Sequence, residues 1–121
     1  MPEWTGSIVF FGASDLDAVD AFYGTLLGLQ LDRDQGVCRI YGVPGGGALG
    51  FCNHIPPVVG SKSPIITLLA DDVDSVYTSL KENYDQELSP PIVNNRFGIY
   101  HLFVTDPHGY TVEIQKFLDK A

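Results

Sequence analysis

One acidic residue stands out near the C-terminal end of the sequence, in the stretch "VTDPHGYTVEIQKF" from Val104 to Phe117. The segment Asp106 to Gly109 has the composition of a tight turn, because proline presets φ at the second position and glycine is tolerated at the fourth. The run that follows has the apolar pattern of a strand and contains Glu113. A lone carboxylate among apolar residues is costly to bury unless something uses it, so Glu113 is a candidate for acid–base chemistry or for metal ligation.

The composition limits the partners that this residue could serve. The chain has 121 residues with 45% hydrophobic and 18% charged content, which suits one compact domain or two half-domains that share a core. Seven basic and fifteen acidic residues give a net charge of −8. Because this charge would repel phosphate groups and no basic stripe offsets it, we expect neither nucleic acid nor an anionic membrane surface as a partner.

The sequence predicts neither a targeting signal nor a set of disulfides. No apolar run approaches the length of a membrane span, and the first residues lack the basic start of a secretory signal. The two cysteines, Cys38 and Cys52, do not indicate a disulfide framework. We therefore expect a cytoplasmic protein with two free thiols, of which Cys38 behaves as a small buried hydrophobic residue.

The elements that must position Glu113 follow from a weak internal repeat. "ASDLDAVDAFY", which starts at Ala13, resembles "ADDVDSVYTSL", which starts at Ala70, and each copy follows an apolar strand-like run. Both copies have apolar residues at three- and four-residue steps, a pattern that predicts a helix with one core-facing side. Shorter strand-like runs follow each helix, so the predicted order is β-α-β-β-β, written twice.

The helix ends and the module boundaries carry their own signals. Ser14 or Asp15 can cap the first helix and Asp71 or Asp72 the second, while Gly28 suits the end of the first. A segment rich in proline and glycine separates the two copies and predicts a linker. These signals predict a first module over residues 1–54, a linker over 55–63 and a second module over 64–121.

Two motifs, "SDLDAVDAFYGTLLGL" from Ser14 and "DPHGYTVEIQKF" from Asp106, resemble the vicinal oxygen chelate superfamily. This superfamily includes glyoxalase I, bleomycin-resistance proteins and extradiol dioxygenases. The resemblance implies an α+β fold of two βαβββ modules, each a half-open sheet, whose concave faces form one cleft. The family builds this cleft within one chain or across two, and we expect a homodimer.

The resemblance also implies where a metal ion would bind. In metal-dependent members four His, Gln or Glu ligands line the cleft, two from each module, and the matching positions here are Ile8, Gly50, Ile65 and Glu113. Isoleucine and glycine have no side-chain donor atom, so we predict no family-type metal and no cofactor. A non-family site for Zn, Ni, Mn or Fe built from Cys52, His101 and Glu113 is the alternative, although their spacing is no recognised metal signature.

The same resemblance suggests which side chains line the cleft. If Glu113 points inward, strand alternation places Thr111 and Gln115 there too. The family pattern puts His101 and Phe103 on the same inward side, on the neighbouring strand. The predicted floor and walls are completed by Cys52, Ile8, Phe10, Ile65 and Thr67.

Two side chains have competing interpretations. Glu113 could act as a base with His101 as acid or polariser, since desolvation raises and a nearby imidazole lowers a carboxyl pKa. The pair could equally well satisfy one another in a partly wet groove. Arg39 has two interpretations of its own: it is an ion-pair or surface residue, or it contacts an anion at the cleft rim.

Three functions compete at this point. The first is a binding protein of the bleomycin-resistance type that holds a small aromatic or amphipathic molecule without metal. The second is a lyase, isomerase or dioxygenase relative that works through Glu113 and His101 or through a non-standard metal. The third is a scaffold with a vestigial cleft. The absence of donor atoms at three ligand positions favours the first.

Overall fold

The computed structural model describes residues 3–119, and the chain divides into two compact units, Met1–Val59 and Gly60–Ala121. The division falls inside the segment 55–63 that the sequence predicts as a linker. None of the helices formed by residues 3–119 is long and apolar enough to cross a membrane.

The first unit is a four-stranded sheet with one helix. The elements in chain order are β1 (Ile8–Gly12), α1 (Leu16–Val19) with a π-helical continuation (Asp20–Leu26), β2 (Gln30–Asp34), β3 (Cys38–Gly42) and β4 (Ala48–Cys52). The strands β1 and β4 pair in parallel, while the β4–β3 and β3–β2 pairs are antiparallel.

The second unit repeats this arrangement after a short 3₁₀ turn (Gly60–Lys62). The elements are β5 (Ile66–Leu69), α2 (Val73–Asn83), β6 (Ile92–Asn94), β7 (Ile99–Thr105) and β8 (Thr111–Phe117). The sheet has the order β5-β8-β7-β6, with β5 parallel to β8 and the other pairs antiparallel. The predicted α+β fold of two βαβββ modules is confirmed.

The helix starts follow the local signals. The side chain of Asp15 accepts hydrogen bonds from two N–H groups in the first turn of α1, and that of Asp72 accepts one from the N–H of Ser75 in α2. These bonds satisfy amide groups that have no partner within the helix. Gly28 follows the first helix with φ +75°, a conformation that favours glycine, so its predicted role at the helix end is confirmed.

An aromatic cluster forms the core of the first unit between α1 and the sheet. The ring of Phe51 on β4 lies 4.4 Å from Tyr23, 5.6 Å from Phe11 and 6.2 Å from Tyr41, measured between ring centroids. The Tyr41 hydroxyl donates to Asp20 at 2.8 Å. This cluster fixes which face of the sheet packs on the helix, and therefore which face lies opposite it.

The second unit is packed by aliphatic residues between α2 and its sheet. Val73 and Leu80 of α2 are buried, as are the alternate strand residues Leu102, Val104, Val112 and Ile114. On the same side the Tyr100 hydroxyl donates to Asp74 of α2. Glu113 belongs to the other set of alternating positions on β8 and thus to the face opposite α2.

The two cysteines are not free thiols as the sequence predicts. Cys38 on β3 and Cys52 on β4 are joined by a disulfide, with Cα atoms 4.1 Å apart. The antiparallel register places them directly opposite one another. The prediction of two free thiols is therefore wrong, because strand register, which a separation of 14 residues does not reveal, decides whether two cysteines meet.

Candidate functional site

The sheet register of the second unit gathers most of the predicted site residues on the face opposite α2. Glu113 of β8 lies directly across from Thr67 of β5 on one side and from Phe103 of β7 on the other. Gln115 lies across from His101 in the same way. Opposed residues of neighbouring strands project from the same face, so Thr111, at the start of β8, joins this set as well.

Glu113 is held by hydrogen bonds from both neighbouring strands. The hydroxyl of Thr67 donates to its Oε1 at 2.8 Å, and Nδ1 of His101 lies 2.6 Å from its Oε2. Both partners of the second bond are buried, with 8% of Glu113 and 5% of His101 exposed. The carboxylate is thus fixed in orientation at the centre of the sheet.

The charge state of Glu113 follows from these bonds. Burial is the largest influence and works to raise the pKa of the carboxyl. Hydrogen bonds from His101, Thr67 and Gln115, together with the charge of His101, outweigh it and hold the pKa of Glu113 below its ordinary value. Glu113 is therefore a carboxylate at neutral pH, and Nδ1 of His101 is the donor in their shared hydrogen bond.

A cavity of about 460 Å³ lies over this part of the sheet. Its polar lining residues are Asn94, His101, Glu113 and Gln115, and its apolar ones are Ile65, Phe97, Ile99, Phe103 and Phe117. The imidazole of His101 stands edge-on to the Phe103 ring, with centroids 5.0 Å apart. A buried carboxylate and imidazole thus form the polar part of an otherwise apolar and aromatic pocket.

Four of these lining residues are absent from the sequence prediction. Ile99 and Phe117 pair across β7 and β8, two positions beyond His101 and Gln115, so extending the strand alternation would have found them. Asn94 ends β6 and Phe97 lies in the turn that follows, where no periodic signal exists. Thr67 and Thr111, which were predicted, do not line the cavity, although Thr67 holds Glu113.

In the first unit, Phe10 occupies the space above Gly50. The two residues pair across β1 and β4, and a Cβ atom built on Gly50 would lie 2.4 Å from Cδ1 of the Phe10 ring. A longer side chain at position 50 would therefore require the ring to move. Ile8, two residues before Phe10 on β1, shares its face and is partly exposed.

Cys52 and Arg39, two of the predicted ligand-binding residues, are each bonded to partners within the first unit. The sulfur of Cys52 is bonded to Cys38 and the residue is buried. The Arg39 guanidinium donates to the Leu16 carbonyl at 3.0 Å and pairs with Asp17 at 3.3 Å, both on α1. These contacts agree with the ion-pair interpretation of Arg39 and place its side chain on the helix side of the sheet.

The residues at the four family ligand positions do not fit a metal ion. Ile8 and Ile65 have no donor atom, and the room for a side chain at Gly50 is taken by the Phe10 ring. Glu113 is the one donor, and both of its oxygens already accept hydrogen bonds. The alternative set of Cys52, His101 and Glu113 would need a thiolate from Cys52, whose sulfur is bonded to Cys38 in this structure.

Comparison with known proteins agrees with this architecture. The family model described as "Glyoxalase/Bleomycin resistance protein/Dioxygenase superfamily" matches residues 7–114. A glyoxalase/bleomycin resistance protein/dioxygenase from Nocardioides has a TM-score of 0.74 at 19% identity, covering 100% of this chain and 88% of that chain. A lactoylglutathione lyase from Agrobacterium tumefaciens has a TM-score of 0.72 at 22% identity, covering 96% of each chain.

A third solved structure, a possible glyoxalase from Bacillus cereus, has a TM-score of 0.73 at 20% identity and covers 93% of this chain and 98% of that chain. At these identities the likeness to the solved structures is one of fold. No curated protein matches the sequence.

Proposed function

This chain belongs to the glyoxalase/bleomycin resistance protein/dioxygenase superfamily, and on that premise we propose that it binds a small aromatic or amphipathic molecule without a metal ion. The observation that carries this proposal is the cavity over the second sheet, in which aromatic walls surround the Glu113–His101 pair. The replacement of donor atoms by Ile8, Gly50 and Ile65 supports the metal-free part of the proposal.

The walls suit an aromatic or aliphatic group. Three phenylalanines, Phe97, Phe103 and Phe117, and two isoleucines line the cavity, and all three rings are partly exposed. Aromatic rings offer stacking and edge-to-face contacts to a planar ligand, beyond the area they bury. The volume of about 460 Å³ is within the range of small-molecule sites.

The polar residues suit a hydrogen-bond donor at one end of that molecule. Glu113 is ionised, and each of its oxygens has a further lone pair beyond the bond it already accepts. Gln115 and Asn94 add amide groups to the lining. We therefore expect a ligand with an apolar aromatic part and a hydroxyl, amide or amino group, which is the amphipathic class.

The test is a binding screen with matched variants. A panel of planar aromatic compounds, each with and without an amino group, is screened by thermal shift, and hits are measured by calorimetry. A compound at a hundred times its Kd stabilises the native state by about 2.7 kcal/mol. Phe103→Ala should abolish the shift, whereas Val93→Ala, an exposed position opposite Tyr100 on the other face of the sheet, should keep it.

Two outcomes would contradict the proposal. One is a hit whose affinity is the same for Phe103→Ala and the unmodified chain, because that ligand binds elsewhere. The other is a stoichiometric metal ion, present after purification from metal-replete medium, that is lost in Glu113→Ala. Such an ion would mean that Glu113 is a metal ligand.

The 2.6 Å contact between His101 and Glu113 favours proton transfer as a second candidate function. A carboxylate that accepts from Nδ1 fixes the tautomer of the imidazole and leaves Nε2 as the basic atom. His101 is then the base and Glu113 the residue that orients it, the reverse of the roles proposed from sequence. Turnover of a bound compound that is lost in His101→Ala, with binding retained, would establish this second function.

Assembly and location are part of the same proposal. We expect a homodimer, which sedimentation equilibrium would distinguish from a monomer. We also expect a cytoplasmic protein, and thiols are kept reduced in that compartment. On this proposal the Cys38–Cys52 pair exists in two redox states, of which the structure contains the oxidised one.

A further inference from the structure

The Cys38–Cys52 disulfide joins two adjacent strands at a point where their backbones come closest. The N–H of Asn53 donates to the carbonyl of Val37 at 2.9 Å, which is one of the bonds that flank a non-hydrogen-bonded pair in an antiparallel ladder. Cys38 and Cys52 are that pair, and non-hydrogen-bonded pairs have the shorter Cα separation. Their sulfurs would remain neighbours if the bond between them were broken.

His54 lies beside these two cysteines. A ring nitrogen of His54, two residues after Cys52, lies within 4.8 Å of both sulfur atoms. His54 is exposed, whereas Cys38 and Cys52 are buried. The group therefore has two soft sulfur donors on the inside and one imidazole that faces solvent, from which an ion could enter.

We propose that reduction of this disulfide creates a metal site in which Cys38, Cys52 and His54 bind a soft or borderline cation, with Zn²⁺ as the reference ion. Two thiolates and one imidazole are a ligand set that zinc uses with a fourth position left to water. The three donors lie in the first unit, so the inference does not depend on the small-molecule site proposed above.

The chemistry has two balanced steps. A dithiol reductant supplies two electrons and two protons, the S–S bond breaks, and the reductant becomes a cyclic disulfide. The cation then binds both sulfurs and the imidazole, and the two thiol protons are released to solvent. In a tetrahedral zinc site the two sulfurs stand about 3.8 Å apart, a separation that rotation about χ1 of neighbouring cysteines can supply.

The two states exclude one another. A sulfur in a disulfide has no negative charge to offer a cation, so the oxidised chain lacks two of the three ligands. Metal bound to the thiolates in turn withdraws them from attack on an oxidant. Binding should therefore depend on the redox state of the chain rather than on ion concentration alone.

The experiment compares the full chain in its oxidised form and after reduction with a phosphine, which leaves no competing thiol in solution. Zn²⁺ binding is measured by competition with a chromophoric chelator, and Co²⁺ is used as a spectroscopic substitute. We expect one Zn²⁺ per reduced chain, none per oxidised chain, and a sulfur-to-cobalt charge-transfer band in the reduced form. His54→Ala should weaken Zn²⁺ binding about tenfold or more.

Controls separate this site from general effects on the turn. Asn53→Ala, at the exposed position between Cys52 and His54, should bind Zn²⁺ as the unmodified chain does. The double variant Cys38→Ser, Cys52→Ser should bind none, with circular dichroism as the check of its fold. The inference would be overturned by equal Zn²⁺ binding in both redox states, by a reduced chain without the charge-transfer band, or by unchanged affinity in His54→Ala.

Discussion

Replacing Glu113 by glutamine removes one charge from the centre of the second sheet and changes little else in shape. The carboxylate accepts hydrogen bonds from Thr67 at 2.8 Å and from His101 at 2.6 Å. A glutamine can keep its oxygen towards the His101 donor and turn its NH₂ group towards the Thr67 hydroxyl, which can also accept. Both hydrogen bonds can therefore persist in Glu113→Gln, but without the negative charge.

The cost follows from this loss of charge. A hydrogen bond to a charged group contributes about 1.5–3 kcal/mol to stability, and a neutral one about 0.5–1.5 kcal/mol. Two bonds that each become neutral lose about 1 kcal/mol apiece, so we expect the free energy of unfolding to fall by about 2 kcal/mol at neutral pH. Glu113 is only 8% exposed, so screening by solvent reduces this figure little.

The difference between the two proteins should depend on pH with a definite sign. The pKa of Glu113 is lowered in the folded chain, despite burial, by its bonds to His101 and Thr67. A lowered pKa gives stability that is present above the unfolded-state pKa and is lost as the pH falls through the folded-state value. The difference in the free energy of unfolding between the unmodified chain and Glu113→Gln should therefore disappear in acid, below about pH 4.

The assay is urea unfolding followed by far-ultraviolet circular dichroism at about pH 7.5 and about pH 3.5. Glu82→Gln makes the same chemical change at an exposed position on α2 and should alter stability by no more than about 0.5 kcal/mol. A gap for Glu113→Gln as small as that of the control, or one that is unchanged in acid, would refute the reasoning from the buried pair.

Three further predictions concern the backbone and the disulfide. Gly50→Ala should cost about 1–3 kcal/mol in urea unfolding, because its Cβ would meet the Phe10 ring at 2.4 Å, and Phe10→Ala in the same chain should recover part of that cost. The double variant Cys38→Ala, Cys52→Ala should lose about 3 kcal/mol for a loop of 14 residues, and a reductant should lower the melting temperature of the unmodified chain only. Gly28→Ala should cost about 1–2 kcal/mol at φ +75°, while Gly6→Ala, which also has open space around it, should cost almost nothing by thermal melting.

The features of the fold that could be predicted are those written in short stretches of sequence. Asp15 and Asp72 begin helices because a capping side chain bonds to amides two or three residues further on. The apolar stripes and the turn at Asp106 are equally local. The π-helical turn over Asp20–Leu26 has no such signal, since the apolar residues of that segment suit an ordinary helix as well.

The site residues likewise fall into those that could be predicted from local sequence and those that could not. The facing of Thr111, Glu113 and Gln115 follows from alternation along one strand, and that of His101 from the family pattern. The contribution of Phe97 depends on the path of the turn after β6, and the bond between Cys38 and Cys52 depends on the register of a hairpin. Both are set by contacts between segments that a one-dimensional pattern does not contain.

The ring of Phe10 over Gly50 has a consequence for the evolutionary accessibility of metal-dependent chemistry from this sequence. A glutamate at position 50 would collide with the ring. A histidine at position 8 or 65 alone would bring the donors at the four family positions to two, itself and Glu113, fewer than the three protein ligands of a catalytic zinc site. Each single step therefore costs stability or brings no benefit, and a functional centre would need several substitutions together, including one at Phe10. Packing at a single glycine thus makes a family-type metal centre hard to acquire from this sequence by single substitutions.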